Sequence, residues 1–437
     1  DVVCGKVSRN LKKFDDAASK GLGLIAGKLG KDLGDKMSSG NTNQGGGTSK
    51  VDLNENANKN TPSFSLGLAG SASVNLINNK TEANVDGAKI DLSQGTSGKG
   101  DLSIAAVDKT WQSAASGAAT IQWLNITKSS TNSTSVALNG AVAVNKSDID
   151  TNAYLKNSII DNVDNLNVEA LSGGGQVAAG LGLAVTKSSG SEGQSYSGGA
   201  SVSLNLIEHN VNALAEKNTV TGTDKGKLDV TAYESDVTVT GGVNISAGKS
   251  NGMAGAAVTV AKINHNVNAE INGGKYTKFD SVDTKALLAG TQVTAALSAG
   301  INANSSGTAV LEGAFVYNEI DNNLKAHINN NANITASGTT TILSRDVSSS
   351  AALVKLYQDE LNNGYGKKAE DAGIDTTGKS YYKDLDTSYT TDGKNKETTA
   401  DLNNQADAGS VIVTAGAAIA GTNGKAAAGA SVVVDKI

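Results

Sequence analysis

Two of the three histidines, His209 and His265, stand in nearly identical strings, LIEHNVNA and KINHNVNA, four residues before Ala213 and Ala269. Imidazole is the commonest protein ligand for metals, so two at equivalent places raise the question of a shared ion. Asn79 and Asn322 fill the same slot in related strings, whereas the third histidine, His327, does not. With Ile207, Val211 and Ala213 facing inward, a period of two turns this slot inward as well. A polar side chain that satisfies backbone groups at a coil corner accounts for histidine and asparagine alike. On this reading no metal site and no cofactor are assigned.

Other strings match patterns with a defined chemistry. Gly373 to Ser380, GIDTTGKS, fits the phosphate loop G-x-x-x-x-G-K-[ST], which works only between a buried strand and a helix start. Here KKAED precedes it, with no buried strand. Gly248 to Gly252, GKSNG, fits G-x-S-x-G, but its surroundings read as strand, turn and strand rather than strand, turn and helix. Calcium-binding nonapeptides are absent, and acidic residues fall mainly in turns instead of the cluster a carbohydrate-cleaving β-helix needs. The expectation is a chain without enzymatic activity.

The frame that carries these residues is repetitive. Only 38% of the 437 residues are hydrophobic and 4% aromatic, with 51 glycines and one proline, so a thin core of small side chains shared along a stack is expected. A net charge of −6 and only two arginines, Arg9 and Arg345, argue against nucleic acid. A single cysteine, Cys4, excludes an internal disulfide framework. No apolar run is long enough for a membrane-spanning helix. The opening DVVCGKVSRN lacks a signal-peptide pattern, so any export signal is expected outside this chain.

GGASVSLNLIEHNVNALAE, from Gly198, returns as related strings from Gly70, Gly140, Gly255 and Gly313, and GASVVVDKI from Gly429 reads as a truncated copy. Within it the reading places strands through Val202 and Leu204 and through Val211 and Ala213, with a phase slip near Leu206 and Ile207. A second series comprises Leu102–Ala106, Leu166–Ala170, Leu228–Ala232, Val282–Ala286 and Ser410–Ala415. In TVTGGVNISAG, the alternating Val237, Val239, Val243, Ile245 and Ala247 read as a buried face. The repeated alanines 83, 153, 213, 269 and 326 are 70, 60, 56 and 57 residues apart. Such a unit suits about three solenoid coils of roughly 19 residues, rising roughly 14 Å, and a rod roughly 80 Å or more in length.

Four regions follow: 1–63, 64–350, 351–408 and 409–437. In the first, apolar residues from Val7 to Met37 recur at helical spacing, and eight basic against four acidic residues give 6–38 a charge of +4, so a flank-packed helical segment or membrane contact is expected. Residues 64–350 are the solenoid, which resumes over 409–437. Between them a helix is expected over Ala351–Asn363, in an insertion projecting from a coil corner. Its tyrosines, Tyr357, Tyr365, Tyr381, Tyr382 and Tyr389, are the candidate partner-binding residues.

The repeat units from Gly70 to Gly313 resemble those of large bacterial exoproteins, the filamentous-haemagglutinin-like and fusobacterial leukotoxin-like passengers of two-partner secretion or autotransporter type. The resemblance implies an all-β, right-handed parallel β-helix (β-solenoid), here with two helical insertions, secreted or displayed on the bacterial outer-membrane surface. It implies a stalk segment of an adhesin or exotoxin that meets a host-cell receptor or glycan, with the remainder of the same long polypeptide as a further partner. Alternatives are a leukotoxin-type cytolysin acting on host membranes and a carbohydrate-active β-helix.

Overall fold

The computed structural model describes residues 48–50, 64–93, 100–125, 134–189, 194–303, 309–347, 352–363, 411–423 and 425–436. Strand β1 (Thr48–Lys50) stacks on β4 from the coil before it; the first full coil comprises β2 (Phe64–Asp86), β3 (Lys89–Asp91) and β4 (Gly100–Asn125), and the second β5 (Thr134–Lys156) and β6 (Ile159–Ser189). The third holds β7 (Gln194–Glu216), β8 (Thr219–Gly222) and β9 (Lys227–Lys249), and the fourth β10 (Gly252–Asn272), β11 (Lys275–Phe279) and β12 (Ser281–Asn302). The fifth holds β13 (Ala309–Asn329), β14 (Asn333–Ala336), β15 (Thr340–Asp346), helix α1 (Ala352–Asn363) and β16 (Val411–Thr422), and β17 (Ala427–Lys436) opens a sixth.

Sheet I is built from β2, β5, β7, β10, β13 and β17 in that order, and sheet II from the other strands, with β4, β6, β9, β12 and then β15 and β16 as its spine. Neighbouring strands are parallel, as in β5 with β7, β7 with β10 and β9 with β12. The chain is therefore an all-β parallel β-solenoid.

One repeat is one coil, which corrects the expected three. Ala83, Ala153, Ala213, Ala269 and Ala326 are direct partners in successive strands of sheet I. The strands run 21–23 residues from β2 to β13 because no proline or obligatory turn residue interrupts them. The expected rod becomes a slab: about 75 Å along the strands, and about 24 Å across six strands at roughly 4.8 Å spacing.

Corners form where residues adopt positive φ. Gly87, Asn157, Lys217, Gly273 and Asn330 stack at one end of the slab with φ between 51° and 66°, a region that glycine and asparagine enter at low cost. Their amides continue the ladder, Asn157 N–H donating to the Glu216 carbonyl at 2.9 Å and Lys217 to Asn272 at 3.0 Å. This proximal half encloses a hydrophobic core of Leu166, Val168, Leu228, Val230, Val211, Val267, Ile271, Tyr276 and Phe279, among others.

The region after Thr340 departs from expectation. Thr340–Asp346, not Ser410–Ala415, continues the Leu228–Ala232 series, since Val282 pairs with Thr340 while Val411 pairs with Thr291. The insertion thus interrupts a strand of sheet II and does not leave from a corner. Its helix α1 forms as expected and folds back, burying Val354, Tyr357 and Leu361 against Leu171, Tyr233, Leu287 and Val347. The segment 6–38 lies outside the described residues.

Candidate functional site

Strand phase holds without a slip through β7, and this inverts half of the slab. Ser195, Ser197, Ser201, Ser203 and Asn205 are buried and inward, whereas Val202, Leu204 and Leu206 alternate outward. On sheet II, Thr238, Thr240, Asn244 and Ser246 are inward, so Val237, Val239, Val243 and Ile245 line the outer face and not the expected buried one. Small side chains let the sheets approach. The Asn139 and Asn244 amide oxygens lie 2.5 Å and 2.8 Å from where a Cβ on Gly182 would sit.

The outer faces of this distal half carry no charge over long stretches. Sheet I shows Tyr196 to Leu206 on β7, Val136 to Val144 on β5 and Leu311 to Tyr317 on β13, and sheet II shows Val177 to Val185 and Val237 to Ala247. From Tyr196 to Leu206, or from Val237 to Ala247, is roughly 33 Å at about 3.3 Å per residue. Among the exposed large apolar side chains of the described residues, all but Ile159 and Ile342 belong to this half, including Leu68 at 59%, Leu181 at 49% and Ile301 at 60%. Each face covers roughly 800 Å², above the few hundred usual on soluble monomers. On sheet I a charged row, Lys146, Lys262, Glu319 and Lys436, ends the apolar stretch toward the proximal half, with Lys436 and Lys262 paired to Glu319.

A buried polar layer separates the inverted half from the hydrophobic core. The slot recognised in sequence is a register row, in which Ile149, His209, His265 and Asn322 are successive partners, as are Asn79 and Ile149. It lies inside a strand and not at a corner. His209 Nδ1 is 2.9 Å from Glu234 Oε1 on the opposite sheet, and Nε2 is 3.1 Å from Ser147 Oγ. Burial lowers the affinity of His209 for a proton, but Glu234, then Asp236 and Asp108, outweigh it and push the pKa up to about 9. His265 Nδ1 donates to Asn322 Oδ1 at 3.0 Å, and its Nε2, 3.9 Å from Asp236 Oδ2, has no hydrogen-bond partner. Thr238 donates to Asp236 at 3.0 Å, and the Gln176 amide, oriented to donate, reaches Asp236 at 2.7 and 3.0 Å. Asp108 accepts from Asn79, Thr81 and Thr110.

The histidines were legible in sequence, but their acidic partners were not singled out. Extending the inward phase of Leu228, Val230 and Ala232 by two steps reaches Glu234 and then Asp236. That continuation is the signal that identifies them. His327 faces outward beside Glu270 at 3.3 Å and takes no part.

Under α1 lies a second ionic group. Lys227 bridges Asp229 at 3.0 Å and Asp283 at 2.5 Å, and buried Lys285 pairs with Asp283. Burial raises Asp229, yet the two lysines bring it down to about 2. Tyr357, a candidate binding residue, is buried in α1, its hydroxyl 3.3 Å from Thr231 Oγ1. Tyr365, Tyr381, Tyr382 and Tyr389 lie outside the described residues, as does the GIDTTGKS string. GKSNG spans the end of β9 and the turn into β10, a strand–turn–strand setting.

Comparison with protein-family models, curated proteins and solved structures finds no match to this chain.

Proposed function

We propose that this chain is a non-enzymatic β-solenoid segment of a secreted or surface-displayed bacterial exoprotein, and that its inverted half engages lipid bilayers. The host-cell interaction expected of an adhesin or exotoxin then proceeds through the membrane itself. One observation carries the reading: over roughly 33 Å both outer faces are apolar while the interior is small and polar. That arrangement reverses what water selects and matches the outward face of strands that cross a hydrocarbon layer about 30 Å thick. The charged row on sheet I stops the apolar stretch where a headgroup region would begin. Short polar connections, such as Ser250-Asn251 between β9 and β10, close the opposite end. Among the described residues β2 and β17 are the outermost strands of sheet I, and in lipid their outer backbone groups need covering by further chain or a second copy, because hydrocarbon cannot satisfy them.

Flotation of the full chain with phosphatidylcholine–phosphatidylglycerol vesicles tests this. The chain is expected to rise with the vesicles and its tryptophan emission to shift to the blue, Trp111 being on the outer face. Leu181→Glu and Leu204→Glu should abolish both, while Lys325→Glu, at an exposed position of the proximal half, should not. A wild-type chain left in the dense fraction, or Leu204→Glu floating equally well, overturns the reading. A stable lipid-free dimer abolished by the same substitutions assigns the faces to self-association instead.

A further inference from the structure

The polar layer holds more than a histidine pair. One ligand atom each from His209, Asp236 and His265 lie within 4.8 Å of one another, and all three residues are buried. Beside them is a cavity of about 20 Å³, lined in part by Asp236, His265, Gln292 and Asn322. That volume accommodates a single water-sized species.

Two of the residues that line this cavity carry a buried atom without a partner, His265 Nε2 and Gln292 Oε1, and are only 5% and 3% exposed. Asn322 Oδ1 can only accept, so Nδ1 of His265 carries a proton and Nε2 is the ring nitrogen left to face a metal. A carboxylate or amide oxygen on the far nitrogen is the usual support of a ligating imidazole, and Glu234 provides it to His209 at 2.9 Å. Asp236, itself buried, places a carboxylate oxygen 3.9 Å from the orphan nitrogen of His265, so a divalent cation between them would give both a partner.

Space for an ion arises from the register. Asp236 is flanked in the adjacent coils by Gly174 and Gly290, so no side chain from either neighbour fills the position beside its carboxylate. Asn322, one coil beyond His265, shows that the row accepts asparagine without losing its pairing.

We propose that His209, Asp236 and His265 form a divalent transition-metal site, best suited to Zn²⁺, with the Gln292 carbonyl oxygen as a further donor. Two imidazole nitrogens and one carboxylate are a zinc ligand set, and ligand distances of about 2.0–2.2 Å require the three side chains to close by roughly 1 Å around the ion. The site staples sheet I to sheet II across three strands, β7, β9 and β10, at the boundary between the hydrophobic and inverted halves.

The test is calorimetric titration of the full, chelator-stripped chain with ZnCl₂, alongside His265→Asn, Asp236→Asn and His327→Asn. Wild type is expected to bind one Zn²⁺ and to melt at a higher temperature with it. His265→Asn and Asp236→Asn should bind roughly 100-fold or more weakly. His265→Asn should match the metal-free wild type in circular dichroism, which shows that the loss is of a ligand and not of the fold. His327→Asn should bind as wild type does, because His327 and Glu270 form a surface pair away from the layer. Absence of stoichiometric binding to wild type overturns the proposal, as does equal binding by His265→Asn. Binding lost only in His327→Asn also overturns it and assigns the ion to the surface.

Discussion

The imidazole rings of His209 and His265 lie 5.8 Å apart, tilted by 57°, on directly paired strands. Three coils per repeat would set them roughly 14 Å apart. Their contact follows from a single structural fact: each repeat closes one coil, so every equivalent residue becomes a neighbour. Rows of like residues result, among them Asn75, Asn145 and Asn205, whose amides bond in series at 3.1 and 3.0 Å.

The inverted phase makes opposite demands on adjacent residues. Ser203 is buried, donates to the Gly241 carbonyl at 2.6 Å and sits 3.0 Å from the position of a Cβ on Gly180. Ser203→Leu should cost roughly 2–3 kcal/mol through overpacking, and outward-facing Leu204→Ser less than about 1 kcal/mol. Urea denaturation checks both, and the reverse order would mean that the strand faces the other way.

Gly174 adopts φ 149°, and a Cβ there would lie 1.8 Å from the Thr110 carbonyl oxygen. Gly174→Ala is expected to lose about 3 kcal/mol or more, because backbone has to move. Gly117→Ala, with nothing within 4 Å of the new methyl, should stay within about 0.5 kcal/mol of wild type. Thermal unfolding of the two variants side by side is the measurement.

Docking of α1 should weaken as pH rises. Burial, and then the charge of Asp229, pushes Glu360 from its ordinary 4.5 up to about 7. The docked state therefore binds more protons than the undocked state between these values, so its stability is full below pH 4.5 and is lost as pH rises through 7. The difference is of order 2–3 kcal/mol. Hydrogen exchange of α1 amides, corrected for intrinsic rates, should accelerate across that window in wild type and stay level in Glu360→Gln. A level wild-type profile would contradict the assignment.

Alternation and repetition were legible in the sequence because each is a local property. The period of two defines strands, the recurring alanines define equivalent rows, and the Leu353–Leu361 spacing defines a helix; the rows and the helix are where the structure has them. Coil length was not legible, since no residue between Gln194 and Glu216 forces or forbids a bend, and only pairing across coils keeps the strand straight. Nor did alternation reveal which face turns inward. Val237 and Val239 look like core, yet the phase set by Leu228, Val230 and Ala232 against the hydrophobic core carries Glu234, Asp236 and Thr238 inside and leaves the valines outside. Strand geometry links every second residue rigidly, so once the proximal core is packed the distal faces have no choice. The sequence by itself determined strands, repeats and the row that holds the histidines. Only the tertiary structure decided that the row is contiguous, that acidic residues meet it from the opposite sheet, and that half of the slab shows its apolar side to the surroundings.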